Sequence, residues 1–318
     1  MSLENSKYPS MPDNSYFDSR MANGDKLSDI FDRTDFLSRC YTEDKARPIT
    51  VKVGKKYNFV ANNYLLFDNW FVSARDFEED DEYTYAYRRF NEKGIVDGGV
   101  LIRRDGSYVT IEEFAAVEYG THVGGGRYAF VKQQNGLLNI IDLEKGTKLE
   151  QTGIRVDSIT YAHSNFIDFG LFRIAKGNFN GLHDLDWATV SHNSPKDSIN
   201  KGIEVNLYSV EKGILFPDTW FDYIETFGNS YNGIAYDMCK YTIVHLNGKL
   251  NVINRYGRIM FDKWFDIGHV NSENEAIVGI LKSDQLKGLQ DYNEDYSYNP
   301  EKYTLYKIDK YGKIRQLT

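Results

Sequence analysis

The feature that most constrains this chain is a short unit that recurs along it. Clear copies occupy residues 56–71 (KYNFVANNYLLFDNWF), 204–222 (EVNLYSVEKGILFPDTWFD) and 249–266 (KLNVINRYGRIMFDKWFD). Each places an Asn (Asn58, Asn206, Asn251) in a β-type run, passes a turn, continues through an aliphatic pair to Phe, and closes on Trp-Phe at Trp70, Trp220 and Trp264. Shorter copies lie at 100–109, 138–146, where the Asn is Asn139, and 303–314. One hairpin of this size cannot bury its own apolar face, so the copies must stack on one another.

The turns specify how. Gly106, Gly146, Gly213, Gly257 and Gly312 each end a polar triplet between two β-type runs. Glycine there fits a type I turn followed by a left-handed residue, which closes a three-residue hairpin with a bulge. Further β-type runs at 83–87 and 241–244 supply a second hairpin or a return strand. Tyr and Phe favour the same reading: aromatics make up 15% of the chain and suit half-buried pleated surfaces. The expected fold is therefore all-β, tandem antiparallel hairpin repeats in a propeller-like or open twisted array over residues 48–318. Residues 1–47 are polar and read as a short N-terminal arm. Leu27, Ile30, Phe31 and Leu37 recur within it at helical spacing, which predicts one helix in 25–41 with Asp25 and Ser28 available as caps.

The later copies resemble the tryptophan-glycine (WG) repeat family, whose unit opens on Gly-Lys-Trp-Gly and closes on Tyr-Asp. Gly248-Lys249, the run from Asn251 to Gly257-Arg258, the close at Trp264 to Asp266, and Phe227 with 233–235 (GIA) carry the likeness. The Trp-Gly pair of that family is replaced by Val205-Asn206 and Leu250-Asn251, and Trp moves to the closing position. The resemblance implies a non-catalytic β array of the kind found in bacterial and bacteriophage proteins.

The candidate chemistry is sparse. Trp70, Trp220 and Trp264 could form an aromatic platform for sugars or peptides, but residues that recur once per unit usually serve the repeat. Asn58, Asn139, Asn206 and Asn251 are expected to bond local backbone. His183 to Asp186 lacks the third and fourth ligands of a metal site, 124–127 (GGGR) sits in no strand-turn-helix fingerprint, and the acidic run 78–82 lacks the spaced oxygens of a calcium loop. No nucleophile elbow and no cysteine motif occurs, and Cys40 and Cys239 lie far apart. No catalytic residue, metal or cofactor is assigned. A paired-carboxylate glycosidase or a glycan-binding protein stays open as the alternative from another class.

A net charge of −8 argues against general affinity for nucleic acid or anionic membrane, though a local basic patch is compatible with it. No Asn-x-Ser/Thr acceptor, no secretory leader pattern and no membrane-length apolar run occurs. The sequence thus reads as a cytoplasmic interaction or structural module, virion-associated if of phage origin, with a protein as its expected partner and a glycan as the second choice.

Overall fold

The computed structural model describes residues 13–34, 46–77, 81–118, 127–149, 158–161, 170–177, 202–225, 227, 240–271, 274–293 and 297–317. The chain divides into two compact units, Met1–Leu149 and Glu150–Thr318. In the first, two helices, α1 (Asn14–Ala22) and α2 (Leu27–Ile30), precede three antiparallel sheets. Sheet one holds β1 (Arg33–Thr34), β2 (Ile49–Val53), β3 (Lys56–Ala61) and β4 (Tyr64–Leu65). Sheet two holds β5 (Ser73–Ala74), β6 (Tyr83–Phe90) and β7 (Val96–Arg103). Sheet three holds β8 (Ala116–Glu118), β9 (Tyr128–Lys132), β10 (Leu138–Asp142) and β11 (Thr147–Lys148).

The second unit repeats the plan. Sheet four holds β12 (Ser158–Tyr161), β13 (Leu171–Lys176), β14 (Glu204–Ser209) and β15 (Gly213–Ile214). Sheet five holds β16 (Tyr223–Ile224), β17 (Tyr241–Leu246) and β18 (Lys249–Asn254). Sheet six holds β19 (Ile267–Val270), β20 (Ala276–Leu281), β21 (Tyr303–Ile308) and β22 (Ile314–Gln316). Every sheet is a meander in which chain neighbours pair antiparallel, as tandem hairpins require. The all-β array expected from the repeats is therefore the observed architecture.

Local chemistry explains the meander. Asn247 and Gly248 sit at φ +52° and +74° between Leu246 and its partner Lys249, the Asn-Gly signature of a two-residue hairpin turn. Asn62 and Asn63, at +52° and +62°, do the same between β3 and β4. The glycine-closed turns at Gly106, Gly257 and Gly312 are three-residue hairpins: Arg103 N–H donates to Ser107 O, Asn254 N–H to Arg258 O, and Asp309 N–H to Lys313 O. Two of the five expected turns differ in detail. Gly146 N–H reaches Asp142 O across a four-residue loop, and Gly213 already pairs with Ser209 as the first residue of β15.

Side chains alternate between the two faces of each sheet, so each sheet feeds two cores. In β18, Leu250 and Val252 join Phe261, Phe265, Ala276, Val278 and Ile308 between sheets five and six, whereas Ile253 faces Val205, Leu207, Phe221 and Val244 between sheets four and five. In the first unit, Phe59, Phe71, Phe77, Val100 and Ile102 fill the space between sheets one and two, and Leu101, Phe114, Val117, Val131 and Ile141 that between two and three. This is the stacking that the isolated hairpin needs.

The N-terminal segment departs from the sequence expectation. The longer helix is α1, upstream of the predicted span, with Asp13 accepting a hydrogen bond from Tyr16 N–H as its cap. Within 25–41 only the four residues of α2 are helical among those described, and its N-cap is Lys26 rather than Asp25 or Ser28. The reason is pairing: Arg33 and Thr34 join sheet one opposite Lys52 and Val51. Phe17, Met21, Ile30 and Phe31 are buried against Ile49, Val51 and Val53, so α1 and α2 cover the outer face of the first sheet. Of the last sheet, the outer face presents Ile267, Ile277, Leu281 and Leu305, which pack with Tyr298. No helix among the described residues is long and apolar enough to cross a membrane.

Candidate binding surface

The repeated residues are spent on the repeat itself. Asn251 is fully buried; its Nδ2 donates to Phe261 O and Lys263 O, each at 3.0 Å, and its Oδ1 accepts from Val252 N–H at 2.8 Å. Asn206 makes the same set, to Phe216 O, Thr219 O and from Leu207 N–H. Asn58 bonds Phe67 O and Phe59 N–H, and the half-buried Asn139 accepts from Ile140 N–H. Each latch ties the strand to the loop that follows it. The closing Phe completes the unit: Phe71, Phe221 and Phe265 form antiparallel bridges to Tyr57, Val205 and Leu250 at the unit's start and are almost wholly buried.

Two of the three tryptophans pack on a phenylalanine and the third carries a cation. Trp70 is half-buried against Phe17 of α1, with ring centroids 5.3 Å apart, and its indole N–H donates to Asn14 Oδ1 at 3.2 Å. Trp264 packs on the core between sheets four and five, 6.5 Å from Phe221. Trp220 carries the Lys176 ammonium 3.8 Å from its ring centre.

The turn glycines bring neighbouring sheets together. At Gly257 (φ +83°) an added Cβ would stand 2.9 Å from Leu215 Cβ in the preceding sheet; at Gly106 (φ +83°) it would lie 3.2 Å from Leu66, and at Gly312 (φ +86°) 3.4 Å from Tyr241 Oη. Each turn of sheets two, five and six is thus seated on the sheet before it. By contrast, Gly213 has open space around it.

In the second unit this seating lines up the tips of sheets four, five and six. Lys212 Nζ donates to Tyr256 O at 3.5 Å and stands over the Tyr256 ring at 5.6 Å; Arg255 covers the same ring at 5.0 Å and donates to its hydroxyl. Lys240 Nζ reaches Lys310 O at 3.0 Å, and Lys310 stands 5.3 Å from the Tyr311 ring. Tyr256 and Tyr311 are 60% and 82% exposed, far more than a phenol that serves a core.

One buried group stands apart. Arg173 in β13 occupies the position directly opposite the residue that follows the latch Asn; the matching residues elsewhere are Thr50, Phe130 and Ile243. Its side chain is buried, its guanidinium donates to Ile224 O at 3.1 Å, and its Nε has no hydrogen-bond partner. Burial drags it down to about 10, with Tyr223 pulling the other way. Beyond Tyr223 lies His245, whose ring is 5.7 Å away and whose Nε2 is 3.3 Å from Glu225 Oε1.

Among the described residues, no group of three or more His, Cys, Asp or Glu is placed to hold a metal ion. The sequence candidates at 183–186, at 124–126 and at 78–80, the 233–235 segment, and both cysteines lie outside the described residues.

No family model matches the chain, and no curated protein matches it. Among solved structures it is similar to the computationally designed Ika8 protein (9% identity, 85% of this chain and 80% of that one, TM-score 0.29). It is also similar to KlHsv2 with loop 6CD replaced by a Gly-Ser linker (10%, 86% and 68%, TM-score 0.29), and to BamB from Moraxella catarrhalis (12%, 86% and 83%, TM-score 0.29). At these scores the likenesses carry no argument about this chain.

Proposed function

We propose that the chain is a non-catalytic scaffold that binds a protein partner through its hairpin tips. The observation that carries this reading is the division of labour within the repeat. Asn, Phe and Gly recur and are consumed by latch, bridge and turn, whereas the side chains that vary from unit to unit stand at the tips, free to meet a partner. The resemblance to WG repeats supports the same reading.

A photo-crosslinking residue placed at Tyr256 or Tyr311 of the full chain, compared with one at the fully exposed Ile111 of the first unit, tests it in host extract. A discrete adduct from the tip positions alone is expected. Equal labelling from all three positions, or turnover of any glycan in a broad hydrolase panel, would overturn the assignment.

A further inference from the structure

We infer that the row of tips on sheets four to six is a docking site for an acidic peptide segment of a protein partner; this rests on the interaction reading above. The row carries Lys212, Lys240, Arg255, Arg258, Lys310 and Lys313, with Tyr256 and Tyr311 exposed between them. Its continuity comes from the contacts of Lys212 with Tyr256, of Lys240 with Lys310, and of Gly312 with Tyr241. Facing these cations on the same turns are Glu211 and Asp309. The Asp309 carboxylate is already engaged by Lys313 N–H and Tyr311 N–H, which hold it below the usual carboxylate range.

Cations outnumber carboxylates on these turns, and most of them form no ion pair. Among the described residues no carboxylate forms an ion pair with Lys212, Lys240, Arg258, Lys310 or Lys313. On the corresponding turns of the first unit the cations are paired: Arg104 meets Glu82 at 3.4 Å, Lys145 meets Asp142 at 3.9 Å, and Arg127 beside them meets both Asp142 and Glu144. Concentrating unpaired cations on one row of a molecule with net charge −8 gives that row a field opposite to its surroundings, which steers an acidic segment to it and repels like-charged surfaces.

Aromatics decide the kind of ligand contact. Tyr and Arg are the residues that anchor protein interfaces, since they offer large area at low entropy cost. Tyrosines interleaved with cations also suit single-stranded nucleic acid. The rings favour the peptide: the Tyr256 ring already carries the Arg255 and Lys212 cations and the Tyr311 ring that of Lys310, so the faces on which bases would stack are taken.

The test is fluorescence anisotropy on the full chain with three labelled probes: an alternating Glu-Asp dodecapeptide carrying one central Phe, a Gly-Ser dodecapeptide, and a twelve-residue oligothymidylate. The acidic peptide should bind, the Gly-Ser peptide should not, and added salt should weaken the complex. The double variant K212E/K310E should lose roughly tenfold in affinity or more, because several rim charge pairs change sign together. The control pair K55E/K93E, in the first unit, should leave it unchanged. Removing the rings without changing charge, as Y256S/Y311S, should cost several-fold.

Every variant is exposed and is checked by melting temperature, and the salt titration of the unaltered chain reads the same property without mutation. Tighter binding of the oligothymidylate, or equal loss from K55E/K93E, would overturn the inference. If the peptide fails to bind while a crosslinker at Tyr256 still yields a discrete protein adduct, the acidic-segment inference falls and the interaction reading stands.

Discussion

Asn251 shows what a single repeated side chain does here. Its amide satisfies the buried Phe261 carbonyl, the part-buried Lys263 carbonyl and the buried Val252 N–H, groups that would otherwise lose a partner. Asn251→Ala should therefore cost about 2 to 4 kcal/mol, from orphaned carbonyls together with a small void. Asn139 is itself half-buried and, among the described residues, makes one such bond, from Ile140 N–H, so Asn139→Ala should cost clearly less, and the ratio of the two shifts in urea midpoint checks the latch. Arg173 predicts the opposite sign. A buried guanidinium held by a backbone carbonyl and Tyr223 suffers a desolvation penalty that such bonds do not recover. Arg173→Met, which restores the apolar character of Phe130 and Ile243 at the matching positions, should melt no lower than the native chain. Scanning calorimetry decides this, and a large drop in melting temperature would show that the cation holds the sheet pair together.

At the scale of elements, the turns do two jobs that sequence reading separates only in part. Positive φ was legible from the polar triplet ending in Gly, and Gly106, Gly257 and Gly312 take it up in the expected hairpins. Close approach to the preceding sheet was not, because it depends on how units seat on one another. Substituting alanine separates the two. Gly213→Ala meets only the φ penalty, about 1 kcal/mol, while Gly257→Ala adds a clash with Leu215 and should cost up to about 3 kcal/mol by the same denaturation measurement. Equal costs would mean that the approach between sheets relaxes freely.

Other elements were missed for identifiable reasons. Asn247-Gly248 is a hairpin signal that the longer repeat masked, since the strand before each latch lies outside the unit as first drawn. Helix α1 hides in a polar arm, where its signal is a capping Asp13 followed by Phe17 and Met21 four residues apart. The basic row was visible residue by residue in Glu-Lys-Gly, Arg-Tyr-Gly and Lys-Tyr-Gly, yet these triplets read as turns. That they form one surface follows from stacking and from nothing local.

At the scale of the whole molecule, the first unit opens on an apolar sheet face that must be closed against water. The helices cover the outer face of sheet one, where Trp70 packs on Phe17 as Trp264 packs on Phe221, so α1 stands in for a preceding sheet. Removing residues 1–34 should uncover Ile49, Val51 and Val53 and drive concentration-dependent self-association. Light scattering after size exclusion reads this directly, and a truncated chain that stays monomeric and equally stable would show that the helices are dispensable.

The latch also bears on how such a chain can change over time. Its partners are main-chain carbonyls and one main-chain N–H, which every residue type but proline supplies alike. Mutation can therefore rewrite most side chains along a unit while leaving its fastening untouched, provided the Asn, the closing Phe and the turn glycine persist. A protein fastened this way can drift beyond recognition by whole-sequence comparison and keep its architecture, its history surviving as a sparse rhythm of amides and rings.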